Sequence, residues 1–118
     1  DERERQKHDL RNAALAIGKK LVPQGSTLEN EMAAQLEHWN RTLDHAAKQN
    51  LTEDVNSLIR DYMRRILRTL RASSFDENRI SNLAETLVDT PSLKKIKNRD
   101  ALVAYTRLYI LYLISNMK

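Results

Sequence analysis

Cysteine is absent from the 118 residues, which removes disulfides, thiolate metal centres and cysteine nucleophiles together and points to an intracellular protein. Glycine and proline number two each, too few to turn a meander of short strands. A single Phe and a single Trp offer little on which to stack nucleobases. No basic stretch followed by an apolar run marks a secretory leader, and the chain opens on Asp1 rather than Met, so the expectation is a segment of a larger protein. The most apolar stretch, ALVAYTRLYILYLI from Ala101 to Ile114, is interrupted by Arg107 and falls short of the roughly 20 residues a membrane span needs.

What is present is a globular balance: 41% apolar and 31% charged residues are enough for one modest core without staples. Apolar spacing is dominated by three and four, and the predicted class is all-α, a compact bundle of about five helices. Residues 1–9 form a charged, frayed extension, and residues 10–118 a single domain. Leu10, Ala14, Ile17 and Leu21 stripe a first helix, over about residues 3–21. Pro23, Gln24 and Gly25 end it, and Ser26 with Glu29 at the capping-box interval starts a second. Its inner face is Leu28, Met32, Leu36, Trp39, Leu43 and Ala46 or Ala47, running to about Gln49 and Asn50.

Thr52, with Glu53 and Asp54 in the first turn, predicts the start of a third helix with core positions Val55, Ile59, Tyr62, Met63, Ile66, Leu67 and Leu70. Ser74 and Glu77 form a second capping box, opening a helix with Ile80, Leu83, Ala84 and Leu87 inward. Thr90 and Pro91 suit the cap and first position of a short turn. The final helix runs from about Asp100 to Met117, and its nearly complete apolar girdle makes it the expected centre of the bundle. Tyr105, Tyr109 and Tyr112 recur at i, i+4 and i+7 along it, as a core rim with hydroxyls toward solvent or as a candidate oligomer face.

Charge is unevenly placed. Residues 1–59 hold eight basic and ten acidic side chains, and residues 60–118 hold twelve and six, so the halves carry −2 and +6. Arg60, Arg64, Arg68 and Arg71 fall within an arc of about 80° on the third helix, with Arg65 at its edge, opposite the apolar stripe. No lysine occurs between Lys48 and Lys94, and the guanidinium fork pairs bidentately with carboxylate or phosphate. A second cluster, Lys94, Lys95, Lys97 and Arg99, precedes the final helix. Both are candidate partner-binding residues for an acidic peptide or a nucleic-acid backbone, and both also suit a solvated helix back.

Catalytic and cofactor signatures are not visible. Glu31, His38 and His45 follow one edge of the second helix, but no HExxH or second carboxylate–histidine motif accompanies them, so no metal site is assigned. Gly18, Lys19 and Lys20 lack the other glycines of a phosphate loop. No cofactor and no enzymatic activity are expected.

Two stretches, QLEHWNRTLDHAAKQNLTEDVNSLIRDY from Gln35 and SLKKIKNRDALVAYTRLYILYLISNM from Ser92, carry a family likeness. Asn50 and Leu51 before Asp54, Val55 and Asn56, and Leu93 through Lys97 leading into an apolar last helix, resemble the integrase-binding domain of lens epithelium-derived growth factor. That domain is a relative of the N-terminal domain of transcription elongation factor IIS. The resemblance covers about residues 36–117. It implies a five-helix bundle that docks short disordered motifs of transcription or chromatin factors, and so a nuclear protein. It also implies contacts through two interhelical loops, here Lys48, Gln49 and Asn50 with Asn98, Arg99, Asp100 and Ala101. These positions are mostly polar or basic where the family offers apolar anchors and an acid, so partner specificity would differ.

The expected function is therefore a non-catalytic protein-interaction module for an acidic or disordered segment of another protein, with no membrane. The alternatives are a nucleic-acid-binding domain using the arginine face and a self-assembling domain using the final helix.

Overall fold

The computed structural model describes residues 2–67 and 75–117, with the side chains of residues 45–47 and 49 left outside that description. Among the described residues six helices follow one another: α1 (Glu2–Leu21), α2 (Leu28–Asn40), α3 (His45–Ile66), α4 (Glu77–Val88), α5 (Pro91–Lys94) and α6 (Arg99–Ser115). Among the described residues there is no strand, and no helix is long and apolar enough to cross a membrane. The predicted all-α bundle is what forms, with the Pro91 turn as a sixth, one-turn helix.

Local chemistry explains most boundaries. In α1, Glu2 and Glu4 sit in the first turn and Lys19 and Lys20 in the last, each sign opposing the helix dipole. Residues 2–9 are helical yet outside the core; burial begins at Leu10 and continues at Ala14, Ile17 and Gly18. A Cβ at Gly18 would lie 3.2 Å from Leu28, so its absence lets the start of α2 approach α1 closely. Gly25, with φ 85°, makes the turn between them. The cap of α2 is Thr27, whose hydroxyl accepts from the Asn30 amide at 3.2 Å, one residue beyond the expected Ser26.

The break predicted near Gln49 and Asn50 lies earlier, so the stretch expected to end the second helix opens the third. α2 ends at Asn40, where the Thr42 hydroxyl donates to the Trp39 carbonyl at 2.9 Å, and α3 starts at His45 behind the extended Asp44. Thr52, predicted as a cap, lies within α3 and donates its hydroxyl to the Lys48 carbonyl at 2.8 Å. Back-bonding of this kind satisfies a threonine in mid-helix, so the residue does not mark a boundary. The cap of α4 is Asp76, accepting from the Arg79 amide at 2.9 Å; Ser74 lies outside the described residues, as does Leu70. Thr90 and Pro91 hold the cap and first positions of α5 as predicted, but the Thr90 hydroxyl donates back to the Leu87 carbonyl in the last turn of α4 at 2.8 Å rather than accepting from α5.

Helix α6 is the centre. It packs against α1, α2, α4 and α3, and Leu102, Thr106, Ile110, Leu111 and Ile114 have no exposed surface. The facing stripes are Leu10, Ala14 and Ile17 of α1, Met32 and Trp39 of α2, Val55, Ile59 and Met63 of α3, and Ile80, Ala84, Leu87 and Val88 of α4. Phe75, ahead of α4, and Leu93 of α5 complete the core. With nine buried residues, α6 supplies a large share of the apolar burial that stabilises the fold, at about 25 cal/mol per Å² of apolar area.

Candidate functional site

The apolar stripe of α3 fixes what its opposite side must present. With Val55, Ile59 and Met63 held in the core, Glu53, Asn56, Ser57, Arg60, Asp61 and Arg64, at successive intervals of three, one, three, one and three, share the outer side. These six residues line an open groove of about 380 Å³. Arg60, Arg64 and Arg65 are exposed, and among the described residues none of the three forms an ion pair. Two other exposed arginines behave differently: Arg41 lies 3.8 Å from Glu37, and Arg99 lies 3.0 Å from Asp89.

The groove is tied to the core at one point. The buried Tyr105 hydroxyl of α6 donates to Asn56 Oδ1 at 2.7 Å. Burial, and next the neighbouring Tyr109, push the Tyr105 phenol up to about 12, while the Asn56 bond and the Arg60 guanidinium pull the other way. The phenol therefore stays a neutral donor across the physiological range. Sequence pattern could not reveal this contact, because it joins residues 49 positions apart.

The predicted partner-binding residues are thus divided. Arg60 and Arg64 enter the groove, Arg65 stands exposed on the same helix, and Arg68 and Arg71 lie outside the described residues. Lys94, Lys95 and Lys97 are exposed around the end of α5, but none lines the groove, and Arg99 is engaged by Asp89 through Nη2 at 3.0 Å and Nε at 3.3 Å. The arginine arc is also less uniformly basic than predicted, since Glu53 and Asp61 share its groove.

Of the residues predicted for the second interhelical loop, Asn98 lies in the α5–α6 junction, in the left-handed region at φ 65°, whereas Arg99, Asp100 and Ala101 are the first residues of α6. Lys48, Gln49 and Asn50 belong instead to α3, because that helix begins at His45. The tyrosine face is a second correction. Tyr105 and Tyr109 are buried and Tyr112 half-buried, in a ladder running Trp39, Tyr105, Tyr109, Tyr112 with ring centroids 6.1, 5.9 and 6.1 Å apart. Tyr105 and Tyr109, closed into the core, are not available to an oligomer face. The hydroxyl of Tyr105 likewise reaches Asn56 rather than solvent.

The break between α2 and α3 separates Glu31 and His38 from His45, and among the described residues no three His, Asp or Glu side chains are grouped to hold a metal ion. One concavity had no counterpart in the sequence pattern: about 290 Å³ between the ends of α1 and α6 and the start of α2, bordered by Leu15, Gly18, Leu28 and Tyr112. Leu15, 42% exposed, is the one large hydrophobic side chain so exposed among the described residues. No family model matches the chain, and no match is found among curated proteins or solved structures.

Proposed function

We propose that this chain is a non-catalytic docking module whose α3 outer face, centred on Arg60, Arg64 and Arg65 and supplemented by Lys94, Lys95 and Lys97, holds an acidic or short linear segment of another protein. The single observation that carries this reading is the contrast among exposed arginines. Arg41 and Arg99 are occupied by carboxylates of their own chain, whereas Arg60, Arg64 and Arg65 have no ion pair among the described residues. Unpaired guanidinium forks are free to meet acceptors on a partner. The resemblance to peptide-docking bundles of transcription factors points the same way, and with it to a disordered nuclear partner. Of that family's contact region only Asn98 lies in a loop here, with Arg99 and Asp100 in the first turn of α6.

Nucleic acid is the second reading, favoured by the +6 charge of residues 60–118. Against it stand Glu53 and Asp61, which would face a continuous run of phosphates. Affinity capture from lysate, with and without nuclease, separates the two. Proteins retained after nuclease and lost from an Arg60→Gln, Arg64→Gln, Arg65→Gln variant support docking. Release of everything by nuclease overturns it in favour of nucleic acid, and equal capture by the variant returns the arginines to a role in solubility.

A further inference from the structure

The middle of the α3 groove is a set of donors. Because Asn56 Oδ1 already accepts from the Tyr105 hydroxyl at 2.7 Å, the amide is held with Nδ2 as its uncommitted end, and that end has only N–H groups to offer. Ser57 contributes a hydroxyl beside it, and Arg60 and Arg64 bring guanidinium groups from the next two turns, without an ion pair among the described residues. An amide, a hydroxyl and two guanidinium forks along one stripe match a group with several acceptor oxygens and more than one negative charge, which is the description of a phosphate monoester better than of a carboxylate.

The neighbours of these donors narrow the choice further. Glu53 and Asp61 line the same groove and are exposed. A polyanion with a charge at every step would press phosphates against both carboxylates, whereas a lone anion flanked by cations would satisfy donors and carboxylates together.

From this arrangement we infer that Asn56, Ser57, Arg60 and Arg64 form a receptor for one phosphorylated serine or threonine of a partner peptide, with Glu53 and Asp61 favouring basic residues beside it. The inference rests on the docking reading and specifies the chemistry of the docked segment. Tyr105 is a positioning residue, since it touches the amide and not the ligand.

The test is a fluorescence-anisotropy titration of the whole chain with a labelled Ala-Lys-Lys-pSer-Lys-Lys-Ala peptide. Its controls are the unphosphorylated peptide, a phosphopeptide flanked by Glu, an unphosphorylated Glu-rich peptide and a short DNA duplex. The phosphorylated, Lys-flanked peptide is expected to bind about tenfold more tightly than its unphosphorylated form, and more tightly as pH rises through the second phosphate pKa of about 6. Asn56→Asp keeps an acceptor for Tyr105 but replaces the N–H donors by a negative oxygen, and a loss of about tenfold is expected. Arg60→Lys keeps the charge and loses the fork, with a fall of about fivefold. Glu53→Gln with Asp61→Asn should abolish the preference for Lys flanks over Glu flanks. Circular dichroism of each variant confirms that it folds.

Equal binding, or equal absence of binding, by the phosphorylated and unphosphorylated peptides overturns the receptor. If the Glu-rich peptide is then still held through Arg60 and Arg64, docking survives without it. Duplex binding that exceeds every peptide, and that Asn56→Asp leaves unchanged, overturns both readings.

Discussion

Helices α3 and α6 differ in how much of their circumference the fold consumes, and that difference assigns them separate work. In α6, nine residues from Ala101 to Ile114 are buried, spread around the whole helix. In α3, Val55, Ile59 and Met63 are buried on one side, while Glu53, Ser57, Arg60, Asp61 and Arg64 are exposed on the other. In α6 only Arg99 and Asp100, at its start, are exposed, so packing consumes most of its surface. A half-buried helix is held by its inner face and leaves the outer face unconstrained by folding, which is why the proposed recognition surface is on α3. The most direct way to break the comparison is Ile110→Ala. Removing a fully enclosed side chain from the central helix is expected to cost about 2–5 kcal/mol in urea unfolding. A cost below about 1 kcal/mol would mean that α6 is not the element the others pack on.

The contact between the two helices gives the next largest effect. The Tyr105 phenol has a folded-state pKa of about 12 against an ordinary 10.0, so the folded state holds its proton more tightly than the unfolded state. Stability from this group is fully present below pH 10 and declines as pH rises from 10 towards 12, by about 1.4 kcal/mol per unit at most. Tyr105→Phe should remove that slope, at a cost of about 1 kcal/mol at neutral pH for the lost Asn56 hydrogen bond. Parallel urea midpoints at successive alkaline pH values check this; an unchanged slope in Tyr105→Phe would detach the alkaline loss from this residue.

What could be seen in the sequence follows the same division. Spacing alone located the inner stripe of α3, because Val55, Ile59 and Met63 repeat at intervals a helix dictates. It also found the central helix, since an apolar girdle has only one place to go. The break after Asn40 escaped notice because Trp39 and Leu43 continue the apolar register across it, and Thr52 looked like a cap because its bond to Lys48 is invisible without coordinates. For the candidate site, the arginines were legible as a periodic arc. Asn56 was not, because its importance comes from Tyr105, and the burial of Tyr105 and Tyr109 is set by how α2 and α3 pack rather than by any local pattern.

Threonines in mid-helix sharpen the comparison at a smaller scale. Thr52 of α3 donates to the Lys48 carbonyl, whereas Thr106 of α6 is fully buried and its hydroxyl has no hydrogen-bond partner among the described residues. Thr106→Val keeps the shape and removes an unpaired polar group, so it should stabilise by about 1 kcal/mol. Thr52→Val removes a bond that is made and should not stabilise. Thermal unfolding of the two variants side by side checks the sign, and destabilisation by Thr106→Val would show that the hydroxyl has a partner after all.

The smallest expected effect on stability is on the outer face of α3, and that smallness is informative. Arg60→Gln and Arg64→Gln alter exposed side chains that make no ion pair among the described residues, on positions the core does not use. Glutamine is also a good helix former, so each change should move the unfolding free energy by less than about 0.5 kcal/mol. Loss of partner binding with stability intact would separate recognition from folding at the level of single residues. A destabilisation of 1 kcal/mol or more would mean that the guanidinium groups serve the fold, and the contrast between the enclosed helix and the open one would lose its functional half.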